Sequence, residues 1–196
     1  MSMLHSNAPD LKIAELQYQV AVYEDETAYK KLFFLLFPSI QNFAFSFTRS
    51  RALAEEIASD LLMDVWIRRK KLMEIENLKL YLFVGAKHAA IHKLKQENRF
   101  SGFSLDDLQV EFISDYVNPD VSAELHEMQE HIAKAVKALP PSCQLIYKLA
   151  KEDRLKYKDI AALLDLSVKT IDHQLSIALK KIAIALHYPN TKKNES

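Results

Sequence analysis

The run YKDIAALLDLSVKTIDHQLSIALKKI at residues 157–182 constrains the fold most, because its spacing describes two short helices about a tight turn. Tyr157, Ile160, Ala161 and Leu164 fall at i, i+3, i+4 and i+7, the apolar stripe of a first helix. Asp165, Leu166 and Ser167 break that pattern. Ser167 is a good N-cap, since its hydroxyl accepts from an orphan backbone N–H two or three residues on. A second helix is expected to bury Ile171, Leu175, Ala178, Leu179 and Ile182. Lys169, His173, Ser176 and Lys180 stand on its opposite face, with Thr170 and Gln174 on the flank. Ala161 is small where the second helix must approach the first. An apolar back with a cationic, amide- and hydroxyl-bearing front suits a DNA major groove, where base edges offer donors and acceptors and phosphates attract lysine. The arrangement is that of a helix-turn-helix; an αα-hairpin with a solvated face is the plainer alternative.

The rest of the chain reads as helix too. Only 2 Gly and 6 Pro in 196 residues argue against a β-rich or low-complexity protein. The expected architecture is all-α: two small helical domains, at 25–100 and 123–187, joined by a flexible acidic linker at 101–122. Residues 1–24, in which Leu11, Ala14, Glu15 and Tyr18 hint at a helix, are expected to be a frayed extension, and 188–196 a disordered tail. AYKKLFFLLF should form a helix that Pro38 ends or kinks. Ile40, Phe43, Ala44 and Phe47 resume on one face, and every Phe here is expected to be core. One long helix is expected over 49–72, with Ala54, Ile57, Ala58, Leu61 and Val65 inward. Met63, Trp66 and Ile67 lie on roughly the other side, beside Glu56, Asp60 and Asp64. A helix apolar on two faces is either wholly buried or covered by a partner.

Residues 78–100 form a basic helix. Leu80, Phe83, Val84, Ile91 and Leu94 give its expected apolar positions. Lys79, Lys87, Lys93, Lys95 and Arg99 face one acid, Glu97, and Tyr81, His88 and His92 add rings. Cations for phosphate and rings for stacking on unpaired bases suit nucleic acid, though a solvated basic face has the same pattern. His88 and His92 at i, i+4 have the spacing of a metal pair but no third ligand nearby, so no metal site is expected. The linker carries Asp106, Asp107, Glu111, Asp115 and Asp120 with no Lys or Arg, and solvation is its default. Leu125, Met128, Ile132 and Val136 are expected inward on the helix that follows. Leu139-Pro140-Pro141 stops that helix, and Ser142 is expected to cap the next, whose Leu145, Ile146 and Leu149 should pack on the helix-turn-helix.

Charge balance bears on function. Lys and Arg number 26 against 26 Asp and Glu. Affinity for DNA is largely phosphate neutralisation, so a balanced chain should bind free DNA weakly unless a partner presents it. The single Cys143 excludes an internal disulfide and a Cys-based zinc cluster and suits a reducing cytoplasm. No Ser-His-Asp or Cys-His set can be assembled and there is no Gly-rich phosphate loop, so neither an enzyme nor a cofactor is expected. The start of the chain lacks a signal-peptide pattern, and no apolar run reaches the roughly 18 residues of a membrane span.

Two pairs of segments carry a resemblance. DLLMDVWIRRKKL followed by NLKLYLFVGAKHAAIHKLKQENR resembles region 2 of bacterial RNA polymerase sigma factors. LPPSCQLIYKL followed by YKDIAALLDLSVKTIDHQLSIALKKI resembles their region 4. The order, the linker and the short length resemble the extracytoplasmic-function group of the sigma-70 family, over about residues 28–186. The resemblance implies a transcription initiation factor, with core RNA polymerase and promoter DNA as partners and an anti-sigma factor as regulator. It implies that Asp60, Met63, Asp64, Trp66 and Ile67 dock on the polymerase. Tyr81, Lys87, His88, His92, Lys93, Lys95 and Arg99 would capture the −10 strand. Ser167, Val168, Lys169, Thr170, His173, Gln174, Ser176, Ile177 and Lys180 would read the −35 element. The chain departs from the family pattern in having Asp165 where the turn commonly has Gly, and Lys87-His88 where Arg-Asn is frequent. A stand-alone dimeric helix-turn-helix regulator and a sigma-like module without promoter activity are the competing readings.

Overall fold

The computed structural model describes residues 8–97 and 123–187 of the chain. The acidic linker at 101–122, the tail at 188–196, Arg99 and the side chain of Leu125 lie outside them. The described residues are helical without a strand, and the chain divides into two units, Met1–Ser101 and Gly102–Ser196.

In the first unit, α1 (Ala8–Tyr23) is an integral helix and not a frayed extension. Ile13, Leu16, Gln17 and Val20 are buried at i, i+3, i+4 and i+7, while the residues expected to matter, Leu11, Ala14, Glu15 and Tyr18, form the outer face. A polar Gln in the middle hides this stripe from an apolar count. Its amide donates to the carbonyls of Leu72 at 2.7 Å and Ile75 at 2.9 Å, and so pins α1 to the chain between the next helices.

α2 (Glu26–Thr48) starts at Asp25, whose carboxylate accepts from the N–H of Thr27 at 2.7 Å and of Ala28 at 3.1 Å. Of the two expected outcomes at Pro38, an end to the helix does not occur, and α2 runs through it. A mid-helix proline costs about 3 kcal/mol or more, whereas each fully buried Leu, Ile or Phe side chain contributes about 1.5–3 kcal/mol. Leu32 and Leu36 before Pro38, and Ile40, Phe43 and Phe47 after it, are all buried, and Pro38 itself faces out.

α3 (Arg51–Ile67) is capped by Ser50, which accepts from Leu53 N at 3.4 Å. It stops short of the expected end. The chain tightens into a 3-10 turn, Arg69–Glu74, that seats Leu72 in the core beside α1. Leu62, and not Leu61, completes the inward stripe of Ala54, Ile57, Ala58 and Val65. Leu61 instead lies over Gly85 of α4 (Leu78–Gln96): a Cβ at Gly85 would stand 2.9 Å from Leu61 Cδ2. The glycine lets the two helices cross closely. α4 buries Leu78, Leu82, Phe83, Ala86 and Ala90, and Phe83 meets Phe43 edge-on at 4.9 Å; the expected Leu80, Val84, Ile91 and Leu94 are only half-buried.

The second unit holds α5 (Ala123–Lys137), α6 (Pro141–Tyr147), a π-helical turn (Lys148–Glu152), α7 (Tyr157–Leu164) and α8 (Val168–His187). Val136, Leu139, Cys143, Ala178 and Ile182 form one buried cluster, and Leu145, Ile146, Leu149, Ile160, Leu163, Leu164, Ile171 and Leu175 are buried beside them. Met128 is exposed, not inward, and so is Leu179. Ser142 is buried and is not the cap of α6: Pro141 occupies the first turn, where a missing N–H costs nothing. Gln144 instead closes the end of α5, donating to Lys137 O at 3.1 Å and Leu139 O at 2.6 Å.

Between α7 and α8, Asp165 adopts the left-handed conformation at φ 56°, ψ 43°, and the N–H of Leu166 returns to Ala161 O at 2.9 Å. Ser167 Oγ accepts from Thr170 N at 3.0 Å, the expected N-cap.

Two substitutions test this packing. Gln17→Leu keeps the volume but strips the carbonyls of Leu72 and Ile75 of their donor, and should lower stability by about 1–3 kcal/mol in chemical denaturation of the full chain. Asp165→Val should cost about 1–2 kcal/mol, because a β-branched residue strains at positive φ, while Asp165→Gly should not destabilise.

Candidate nucleic-acid and partner surfaces

α8 presents its outer face by default, because α5, α6 and α7 all pack on the opposite side. Ser167, Val168, Lys169, His173, Ser176 and Lys180 are exposed. Thr170 is half-buried and its hydroxyl pairs with that of Ser167 at 2.8 Å. Ile177 packs against the buried cluster, so it borders the face more than it forms it. Gln174 is half-buried, with its Oε1 2.7 Å from Cys143 Sγ. Lysines at both ends with an imidazole, an amide and hydroxyls between them match the chemistry of phosphates flanking base edges.

On α4, Tyr81, His88, His92 and Lys95 are exposed along one side. Lys87 differs from the expectation of a surface contact. It is 8% exposed, so the outer cationic face is built without it. Its place one residue after Ala86 and four after Phe83 turns it toward the packed side. Lys93 donates to Glu56 of α3 at 2.7 Å, and that carboxylate holds the ammonium protonated above its usual range. Both partners are substantially exposed, and such pairs contribute little stability.

On α3, Asp60, Met63, Asp64 and Ile67 form an exposed acidic and apolar ridge, with Met63 and Ile67 at 57% and 63% exposure. Trp66 is not part of the open ridge to the same degree. Its ring is half-buried, 5.0 Å from that of Tyr29 and 4.7 Å beneath the guanidinium of Arg69. Arg69 is fixed in turn by Glu24, at 2.6 Å from Nη2 and 3.0 Å from Nε, and this keeps the Glu24 carboxyl below its usual range.

One surface was not legible as such. Phe33 and Phe37 of α2 stack at 5.2 Å in line with Tyr29, and Phe34 is 65% exposed beside them. The clue is the unbroken run Leu32–Phe37, since six consecutive apolar residues cannot share one face of a helix. Among the described residues, no three His, Cys, Asp or Glu gather where a metal could be held, and no helix is long and apolar enough to cross a membrane.

Comparison with known proteins agrees with this geometry. The family described as Sigma-70, region 4 matches residues 129–182, which run from within α5 through α6, α7 and the turn to Ile182 of α8. No curated protein matches by sequence. Among solved structures, the sigma factor RpoE of Bartonella quintana, in complex with the anti-sigma factor NepR, shares 22% identity at a TM-score of 0.51, over 81% of this chain and 96% of its own. CnrH, in complex with the cytosolic domain of CnrY, shares 16% identity at a TM-score of 0.47, over 91% and 99%. SigE of Rhodobacter sphaeroides, in complex with the anti-sigma ChrR, shares 22% at 0.41, over 86% and 97%. Residues 129–182 thus match Sigma-70, region 4, and the chain shares the helical fold of the RpoE structure.

Proposed function

We propose that this chain is a sigma factor, which docks on core RNA polymerase through the α3 ridge of Asp60, Met63, Asp64 and Ile67, with Trp66 at its edge. In this reading α4 captures the −10 promoter strand with Tyr81, His88, His92, Lys93 and Lys95, and α8 reads the −35 element with Lys169, Thr170, His173, Gln174, Ser176 and Lys180. The single observation that carries the reading is α8: three helices cover one side of it, and the other side offers lysines around base-reading groups. The even charge balance supports a partner-presented mode, because little of the affinity for DNA can come from this chain alone. Lys87 is left out of the strand-capture set, since it is buried. Regulation by an anti-sigma factor is proposed by likeness to the Bartonella quintana protein.

Mobility shift with and without core polymerase is the test. The holoenzyme should shift promoter fragments that the chain alone does not. A symmetric shift by the chain alone would overturn the reading in favour of a stand-alone dimeric regulator. The double variant Met63→Glu, Ile67→Glu should weaken association with core by roughly tenfold or more, since it charges the apolar part of the ridge. Lys180→Ala should weaken promoter binding evenly across sequences and reduce the salt slope by about one, whereas His173→Ala should relax preference at one base pair by about 1–3 kcal/mol. Holoenzyme footprints and binding across a salt series read both.

A further inference from the structure

Gln174, on the outer flank of α8, is a polar side chain that is also tied to the core. Its Oε1 lies 2.7 Å from the Sγ of Cys143, on α6. Cys143 is 2% exposed and belongs to the buried cluster with Val136, Leu139, Ala178 and Ile182. The backbone at Gln174 is fixed by its neighbours, because Ile171 and Ala178, one turn to either side, are fully buried. So both ends of this contact are held by packing.

The direction of the bond has a chemical consequence. A thiol is a weak donor, and an amide oxygen accepts only. Burial pushes the Cys143 thiol above its usual range, against the smaller opposing influence of Lys181 and Ser142, so it keeps its proton and donates. With Oε1 turned to the thiol, the planar amide turns its NH2 group the other way, away from the core. A glutamine that is free to use both ends pairs bidentately with adenine, accepting from N6 and donating to N7. Although an amide oxygen can accept twice, one aimed at the buried Sγ of Cys143 points away from the groove, so the donor end is what Gln174 offers there. Between the two purines, the edge that rewards a donor is guanine's, which offers two acceptors, N7 and O6, where adenine sets its N6 donor beside N7.

We infer that Cys143 is a positioning residue for promoter reading: its thiol holds the Gln174 amide as a donor-only probe, so that α8 selects guanine over adenine at the base pair that Gln174 meets. The inference rests on the proposal that α8 reads the upstream promoter element. Cys143 touches no DNA in this account and acts through Gln174.

Transcription by holoenzyme from a promoter pool randomised across the upstream element, with sequencing of the products, gives the preference at every base pair. Wild type, Gln174→Ala, Cys143→Ala and Cys143→Ser are compared. Gln174→Ala should erase a guanine preference at one base pair. Cys143→Ala should relax that same base pair to guanine or adenine, a loss of roughly tenfold discrimination, with the other positions unchanged. Cys143→Ser, whose hydroxyl still donates, should keep the guanine preference. Three results would overturn the inference while leaving the reading of α8 intact: a Cys143→Ala profile identical to wild type, a uniform loss at all positions in Cys143→Ala, or relaxation in Cys143→Ser as complete as in Cys143→Ala. A base other than guanine at the position lost in Gln174→Ala would also overturn it. If Gln174→Ala alters no base pair, the reading of α8 at Gln174 fails and takes the inference with it.

Discussion

Among the described residues of the C-terminal unit, α5, α6 and α7 are placed by contact with one side of α8. Ile171, Leu175, Ala178 and Ile182 form that side, and α5, α6 and α7 each lie against it. Burial is non-directional, so by itself it would permit many packings. What narrows the choice is small and local. Ala161 allows close approach, Asp165 reverses the chain through the left-handed region, and the Ser167 cap starts α8 at a defined residue. The outer face then follows from helix geometry alone, since whatever is not on the packed stripe must point away.

The N-terminal unit reaches its arrangement by different means. Its long helices are held partly by polar fixings that periodicity does not reveal: Gln17 on two carbonyls, Tyr29 Oη donating to Leu62 O at 3.0 Å, and Glu24 on Arg69 above Trp66. The α1 stripe was misread for that reason, as its central residue is polar. That Pro38 does not end α2 has the opposite reason: burial on both sides of the proline outweighs the local rule. The helix-turn-helix was legible almost residue by residue, because its signals are local: a stripe, a left-handed corner and a cap. Even there Leu179 is exposed, since four inward positions already fill the contact. The pairing of Lys93 with Glu56 and the burial of Lys87 lay beyond the sequence. Both depend on how α4 lies against its neighbours, which no spacing within α4 records.

The charge pattern also gains meaning from the fold. Equal numbers of acids and bases in the chain do not imply a uniform surface. On α3 the carboxylates Asp60 and Asp64 alternate with exposed Met63 and Ile67, and Asp64 lies 3.3 Å from Arg68 Nη2, whereas Glu56, one turn before Asp60, is engaged with α4. Opposite charges thus meet both across the α3–α4 seam and along α3 itself.

The π-helical turn at Lys148–Glu152, followed by Arg154 at φ 58°, adds a constraint of its own. Such a turn holds one residue more than an α-turn, so within it the presented face shifts by about 100°. The helix then ends at Asp153, and the N–H of Leu155 returns to the carbonyl of buried Leu149 at 2.9 Å. That return bond spans the bend between α6 and α7, so length in this stretch is under tighter constraint than identity.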